Sequence, residues 1–226
     1  MKQHKCYAVL TGDIIKSRLL SRRDLNAVRS RLLDAVGLVK GWKRGLVKGK
    51  PEFFRGDAWQ LLISDPAWAM RVGVFLRASL RAEGKADSRI AIGLGEVESI
   101  SPSRVSLSTG EAFLLSGHGL DRMTQYSSMT IEIPGVAGSL SDWLRIVGHL
   151  CDSHICQWTN RQAEIVCVAV NPGDPTHEEI AERLKPAVSK QTVTKSLNSA
   201  NWHVIREVIV RFEKSPWESI VQPQIP

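Results

Sequence analysis

The chain has 226 residues, of which 43% are hydrophobic and 23% are charged, and its formal net charge is +7 with an isoelectric point near 9.4. This composition excludes a disordered, fibrous or disulfide-stapled protein, and the length allows one or two domains. The basic excess suits a polyanionic partner such as a nucleotide, RNA or DNA, and it is equally compatible with solubility alone.

The N-terminal sequence MKQHKCYAVL lacks the apolar core of a signal peptide, and no later run approaches the roughly 18 apolar residues of a membrane span. The four cysteines form no CxxC pair and have no histidine at zinc-finger spacing. We therefore expect a cytoplasmic protein with reduced thiols and no membrane association.

Hydrophobic periodicity predicts the elements of the first part of the chain. In chain order they are a strand at 6–12, a helix at 22–39, a hairpin at 52–56 and 58–63, a helix at 67–83, a strand at 88–94, a helix at 110–123 and a strand at 128–133. This βαββαβ order with additions predicts an α+β fold with a ferredoxin-like or polymerase-palm sheet that has helices on one face.

From Leu140 onward the pattern indicates helices only, and the turn IPGVAGS separates the two regimes. We therefore predict a sheet domain at 1–137 and an all-α domain at 138–226. The first region holds 21 lysine and arginine residues against 13 acidic ones, whereas the second holds 9 against 10. Positive charge in the second region is concentrated between Arg183 and Phe212, which is a local footprint for a polyanion.

Two aspartates follow apolar runs at the predicted strand ends. Asp13 ends the first strand in VLTGDIIKSR, and Asp57 follows Gly56 in EFFRGDAWQLLI. Because the first strand pairs with the hairpin in a βαββ sheet, the two carboxylates approach each other and repel unless a cation lies between them. Magnesium is the natural candidate. The alternative is that Asp13 caps a helix and Asp57 is a turn residue.

The segment after Asp13 extends this hypothesis to a nucleotide. Its backbone N–H groups, at the predicted start of a helix, and its basic side chains suit a polyphosphate. The candidate phosphate-binding residues are Ile14, Lys16, Ser17, Arg18 and Arg55.

The stretches TGDII, RGDAWQLLI, SRIAIGLGEV and HGLDRM resemble successive motifs of class III nucleotidyl cyclases, over about residues 6–133. The resemblance implies that Asp13 and Asp57, which are 44 residues apart as in that family, hold two metal ions. It also implies a homodimer, because those enzymes form their sites between two chains.

Two departures from the cyclase pattern bear on activity. The family has a base-reading lysine four residues before the hairpin aspartate, and this chain has Phe53 there. It also has an asparagine followed four residues later by an arginine that steadies the transition state, and the matching residues here are His118 and Arg122. The resemblance thus implies retained metal binding and altered purine recognition. The candidate catalytic residues are Arg122, which would steady the transition state, and His118, which would act as a general base. The alternatives are a salt-bridged surface arginine and a surface or capping histidine.

The stretches VLTGDIIKSR, RGDAWQ, RIAIGLGE and STGEAFLLSG resemble the SatD-like family of small bacterial proteins more closely. That family pairs such a domain with a C-terminal helix-turn-helix.

The stretch WTNRQAEIVCVAVNPGDPTHEEIAERLKPAVSKQTVTKSL has the punctuation of a helix-turn-helix. Thr159 is placed to cap one helix, and Thr176 with Glu179 forms a capping box for the next. The motif resembles that of bacterial regulators, although the turn between Leu184 and Ser189 is about two residues longer than the standard one.

The predicted recognition helix begins near Lys190 and exposes residue types that contact base edges and phosphates in a major groove. The candidate DNA-binding residues are Ser189, Lys190, Gln191, Thr192, Thr194, Lys195 and Asn198. The alternative is a helical cap that packs on the sheet domain or forms a dimer.

Three functions follow. The first is a DNA-binding regulator whose cyclase-like domain senses a nucleoside triphosphate or another nucleotide with Mg²⁺. The second is an active nucleotidyl cyclase or related phosphoryl-transfer enzyme. The third is a non-enzymatic adaptor.

Overall fold

A computed structural model describes residues 5–54, 56–84, 86–101 and 104–221. Strands and helices alternate in the first part of the chain, and helices follow. The elements are β1 (Cys6–Ile14), α1 (Arg22–Trp42), β2 (Val47–Phe54), β3 (Ala58–Ile63), α2 (Ala69–Ala82), β4 (Ser88–Glu96), α3 (Glu111–Arg122), β5 (Met129–Glu132), α4 (Ser139–Ile155), α5 (Asn160–Ala169), α6 (His177–Arg183), α7 (Lys190–Ser199), α8 (Trp202–Lys214) and α9 (Trp217–Val221).

Within the described residues five strands form one mixed sheet in the order β2-β3-β1-β4-β5. Strand β1 is central and pairs antiparallel with β3 and β4, whereas β5 runs parallel to β4. Strand β2 begins at Val47, five residues before its predicted start, because a register shift between Lys48 and Glu52 lets it continue along β3. The predicted α+β fold is confirmed.

Helices cover both faces of the sheet, so the prediction of helices on one face is wrong. Side chains of β1 alternate between the faces. Ala8 and Leu10 join the main core with α1 and α2, whereas Val9 belongs to a smaller apolar cluster under α3. The Thr11 hydroxyl lies 2.8 Å from the Ser116 hydroxyl of α3. Strand β1 is apolar at consecutive positions because both of its faces are buried.

The buried apolar cluster on the α1–α2 face continues into the helices after residue 138. Helix α2 packs against α5, and Arg71 of α2 donates two hydrogen bonds to Glu213 of α8 at 2.5 and 3.0 Å. The predicted boundary between 1–137 and 138–226 therefore marks a change from sheet to helices without a gap in the core. As a division into two domains it stays a prediction.

Helix α8 contains the apolar run VIREVIVRF. Ile205, Ile209 and Phe212 are buried within the chain. These residues therefore stabilise the core of the protein itself. No helix in the described part of the chain is both long enough and apolar enough to cross a membrane.

An ion network buried in the core joins the two regions. The guanidinium of Arg77 on α2, which is fully buried, donates to both carboxylate oxygens of Asp87 at 3.0 and 2.6 Å and to Asp152 of α4. Asp152 also accepts a hydrogen bond from the backbone N–H of Ser128 at 2.6 Å. These bonds compensate the cost of burying the charges.

Candidate functional site

The sheet brings the two aspartates to neighbouring positions. Asp13 is aligned with Ala58 of β3, so Asp57 lies one residue beyond that pair in the β2–β3 turn. The backbone N–H of Ile14 donates to the backbone oxygen of Asp57 at 3.3 Å. The turn depends on Gly56, whose φ of 92° is disfavoured for residues with a Cβ.

The carboxylate of Asp13 is held by an arginine that the sequence did not single out. Arg89 of β4 lies opposite Asp13 in the β1–β4 register, donates from Nε to Oδ1 at 2.8 Å and donates from Nη2 to Oδ2. The hydrogen bonding to Asp13 raises the pKa of Arg89, and the charges of Asp13, Asp57 and Asp121 add to that effect against a lowering by burial. The guanidinium of Arg89 thus contacts the carboxylate of Asp13 directly.

The hairpin aspartate has different partners. The hydroxyl of Ser17 donates to Oδ2 of Asp57. Arg29 of α1 donates to the backbone oxygen of Gly56 and lies 5.6 Å from the centre of the Phe53 ring. The aromatic residue at the position of the cyclase lysine therefore packs against an arginine and holds the hairpin against α1.

Close packing fixes the backbone of Asp13. A Cβ on Gly12 would lie 2.5 Å from the backbone oxygen of Arg89 and 2.6 Å from the Trp59 ring, so only glycine fits. The indole N–H of Trp59 donates to the hydroxyl of Ser88 at 2.9 Å, and that hydroxyl donates to the backbone oxygen of Asp13 at 2.7 Å. The acidic end of β1 is rigid for this reason.

The segment predicted to bind phosphate differs in local structure from the sequence prediction. The N–H of Ile14 is not free, because β1 continues through this residue and its N–H bonds to Asp57. Lys16 adopts a left-handed conformation with φ of 56°, and a 3₁₀ turn over Ser17–Leu19 precedes α1. The side chains of Lys16 and Arg18 are exposed. Arg55 lies outside the described residues.

In this arrangement the carboxylate of Asp13 is not free to bind a metal ion. Both oxygens of Asp13 accept hydrogen bonds from Arg89, and one oxygen of Asp57 accepts from Ser17. Among the described residues no group of three or more His, Cys, Asp and Glu side chains is arranged to hold a metal. A cation that binds Asp13 must therefore displace the guanidinium of Arg89.

Arg122 contacts a different carboxylate from the two aspartates. Its Nη2 lies 3.3 Å from Oε2 of Glu132, which also accepts from Arg145 at 3.1 Å. These three residues and His149 line a cavity of about 250 Å³ between α3, β5 and α4, and the lining contains neither aspartate. His118 is exposed one turn earlier on α3. Arg122 thus forms an ion pair with Glu132, which agrees with the alternative interpretation of this residue as a salt-bridged surface arginine.

The second candidate surface lies on α7. Ser189 caps this helix by accepting a hydrogen bond from the backbone N–H of Thr192 at 3.1 Å. Val193 and Leu197 are buried, so the opposite face points outward. The exposed residues of the predicted DNA-binding set are Ser189, Lys190, Gln191, Thr192, Lys195 and Asn198.

Helices α6 and α7 pack together and are joined by residues 184–189. Thr176 and Glu179 form the predicted capping box at the start of α6. The hydroxyl of Thr194 lies 2.7 Å from Nδ1 of His177, and Lys190 forms an ion pair with Glu178. The half-buried Thr194 and the paired Lys190 therefore fix the position of α7 against α6.

Sequence reasoning missed Arg89 and Arg29, and it had only weak signals for them. Arg89 begins a predicted strand in SRIAIGLGEV, but its alignment with Asp13 depends on strand register.

No protein-family model matches the chain, and no characterised protein is similar to it at a significant level.

Proposed function

We propose that this protein binds DNA through the exposed face of α7. The observation that carries this proposal is a capped helix that buries Val193 and Leu197 and directs Gln191, Lys195 and Asn198 outward. Side chains of these types hydrogen-bond to base edges, and lysine also contacts phosphates. The resemblance to a helix-turn-helix and the basic residues around α7 support the same function.

The proposal includes a sensor role for the sheet domain, which the resemblance to SatD-like and cyclase sequences supports. The ligand is a nucleoside triphosphate or another nucleotide near Asp13 and Asp57. Such a ligand regulates DNA binding only if it binds the DNA-competent and DNA-incompetent states with different affinities.

The DNA-binding test uses the full chain and a fluorescent mixed-sequence duplex at low salt. We expect Lys195→Ala to weaken binding. The affinity should also depend less steeply on salt concentration, because about one counterion fewer is released on binding. Gln191→Ala should weaken binding to a selected site more than to mixed DNA. The matched control is Lys40→Ala, which removes an exposed lysine from α1 and should leave affinity unchanged.

Thermal melting of each variant separates loss of binding from loss of folding. A wild-type chain that shows no binding to any genomic fragment at low salt contradicts the proposal. The same conclusion follows if Lys195→Ala and Lys40→Ala weaken binding equally.

A second candidate function is nucleotide binding with phosphoryl transfer at the end of β1. The observation that favours it is the juxtaposition of Asp13 and Asp57 across adjacent strands. We would measure melting temperature with each nucleoside triphosphate, with and without Mg²⁺, on the wild type and on Asp13→Ala/Asp57→Ala. A ligand at about 100 times its dissociation constant stabilises by roughly 2.7 kcal/mol, which is readily measured.

A shift lost in the double variant supports a nucleotide site there, and product analysis would then test for cyclic or linear products. A shift that persists in the double variant places the nucleotide elsewhere. Absence of any shift contradicts this candidate function.

A further inference from the structure

An exposed apolar stripe runs along α4. Trp143 is 62% exposed, Leu150 is 59% exposed and Ile146 is 46% exposed, and Leu140 extends the stripe toward the start of the helix. A contiguous row of large apolar side chains on one helix is unusual on a protein surface, and tryptophan in particular is enriched where proteins associate. These four residues are called the α4 stripe.

The stripe is separate from the face that α4 buries. Leu144, Cys151 and Ile155 pack in the core. Gly148 faces β5 at close range, since a Cβ at this position would lie 3.2 Å from backbone atoms of that strand. At 3.6 residues per turn, the stripe lies on another side of the same helix. Helix α4 is therefore already anchored within the chain and still has an apolar surface without a described partner among residues 5–221.

We propose that the α4 stripe binds the α4 stripe of a second copy of this chain, with the two helices antiparallel about a two-fold axis near Ile146. Trp143 and Leu150 are seven residues apart, which is two helical turns. In an antiparallel pair with this axis, Trp143 of one copy packs against Leu150 of the other, and the reverse contact is made by symmetry. A closed two-fold interface is self-complementary in this way.

Charge supports the choice of a second copy as the partner. Asp142 and His149 are also two turns apart, both are exposed, and both lie on the same side of the stripe. Asp142 also pairs with Arg145 of its own helix at 2.8 Å. The axis that pairs Trp143 with Leu150 brings Asp142 of one copy beside His149 of the other. An imidazole N–H that donates to a carboxylate suits the rim of an apolar contact. A parallel pair would instead place Asp142 of one copy and His149 of the other on opposite sides of the contact.

This inference does not rest on the DNA-binding proposal. The contact needs only α4, whose stripe spans about 15 Å at 1.5 Å rise per residue. The cyclase resemblance implies a homodimer, and the α4 stripe is the surface through which we propose that it forms.

The test measures the mass of the full chain by light scattering and sedimentation over a range of concentrations. We expect a monomer–dimer equilibrium that Trp143→Glu shifts to monomer, with the dissociation constant raised by roughly 30-fold or more. The matched control is Leu38→Glu on α1, because Leu38 is 61% exposed and lies on a different helix. A monomeric wild type at all concentrations, or a dimer that Trp143→Glu leaves intact, overturns the proposal.

Two further variants test the geometry. In a Cys156→Ser background, which removes the exposed native thiol, Ile146→Cys should form a disulfide across the two-fold axis, whereas Leu140→Cys should not. Equal cross-linking at both positions would indicate parallel helices and overturn the antiparallel arrangement.

A charge exchange tests the predicted rim contact. Asp142→Arg and His149→Asp should each weaken the dimer, and the double variant should recover part of the lost affinity because the opposite charges are restored. Additive weakening in the double variant would contradict the contact between these residues.

Discussion

Arg89 donates hydrogen bonds to both carboxylate oxygens of Asp13, from the position directly opposite in the antiparallel pairing of β4 with β1. Two neighbouring aspartates need a positive charge, and the sequence pattern predicts Mg²⁺ as its source. In the fold a guanidinium lies at that place. A ligand that requires the free carboxylate of Asp13 must therefore compete with Arg89.

Removing this competitor should increase the affinity of the site for a divalent cation. An ion pair of such partial burial is worth on the order of 1 kcal/mol, which corresponds to about a fivefold change in affinity. We predict that Arg89→Met binds Mn²⁺ more tightly than the wild type by about that factor, as measured by titration calorimetry. Arg89→Lys retains a cation and serves as the control.

Asp13→Asn in the Arg89→Met background should abolish the gained affinity. Equal Mn²⁺ affinity of Arg89→Met and the wild type would show that Arg89 does not control access to Asp13.

Gly12 should tolerate no larger residue. Gly12→Ala places a methyl group 2.5 Å from the backbone oxygen of Arg89 and 2.6 Å from the Trp59 ring, and neither the strand nor the buried indole has room to move. We expect a loss of about 1–3 kcal/mol in the free energy of unfolding, measured with urea. The control is Gly37→Ala in α1, where no atom lies within 4 Å of the added Cβ, and it should stabilise by about 0.5–1 kcal/mol.

The sequence predicted most strands and helices because their periodicity and caps are local signals. The cap at Thr159 and the capping box of Thr176 with Glu179 lie where the pattern placed them. The juxtaposition of Asp13 with Asp57 followed from strand order. The partner of Asp13 did not, because the alignment of Arg89 depends on a long-range register that a single sequence does not specify.

The position of α3 was also beyond the sequence. An apolar strand such as β1 is compatible with one or two covered faces, and Thr11 gave no sign that its hydroxyl would meet Ser116. The contact of Arg122 with Glu132 was likewise not predictable, because it depends on how α3 packs beside β5. Tertiary packing determined these features.

The buried network around Arg77 should make Asp152 essential for stability. Asp152→Ala leaves part of a fully buried guanidinium and the N–H of Ser128 without an acceptor, and loss of one member of a buried ion pair costs about 3–5 kcal/mol. Urea denaturation measures this change. The control is Glu164→Ala, which breaks a partly exposed pair with Arg161 and should cost less than about 1 kcal/mol. Similar losses in both variants would contradict the structural role of the network.

Asp87 should make stability depend on pH in the acidic range. Burial raises the pKa of this carboxyl group, but the charges and hydrogen bonds of Arg77 and Arg81 outweigh burial and hold the pKa below its usual value of 3.8. Because the folded pKa is lower than the unfolded one, ionised Asp87 stabilises the fold above about pH 4. That stabilisation is lost as the pH falls through the folded pKa.

Urea denaturation of the wild type and Asp87→Asn between pH 7 and pH 3 isolates the contribution of this group, because other carboxylates titrate in both proteins. We expect Asp87→Asn to be less stable at pH 7 and the difference between the two proteins to shrink as the pH falls. A difference that stays constant down to pH 3 would contradict a lowered folded pKa, because the unfolded chain binds a proton at Asp87 below about pH 4 and the folded protein would not.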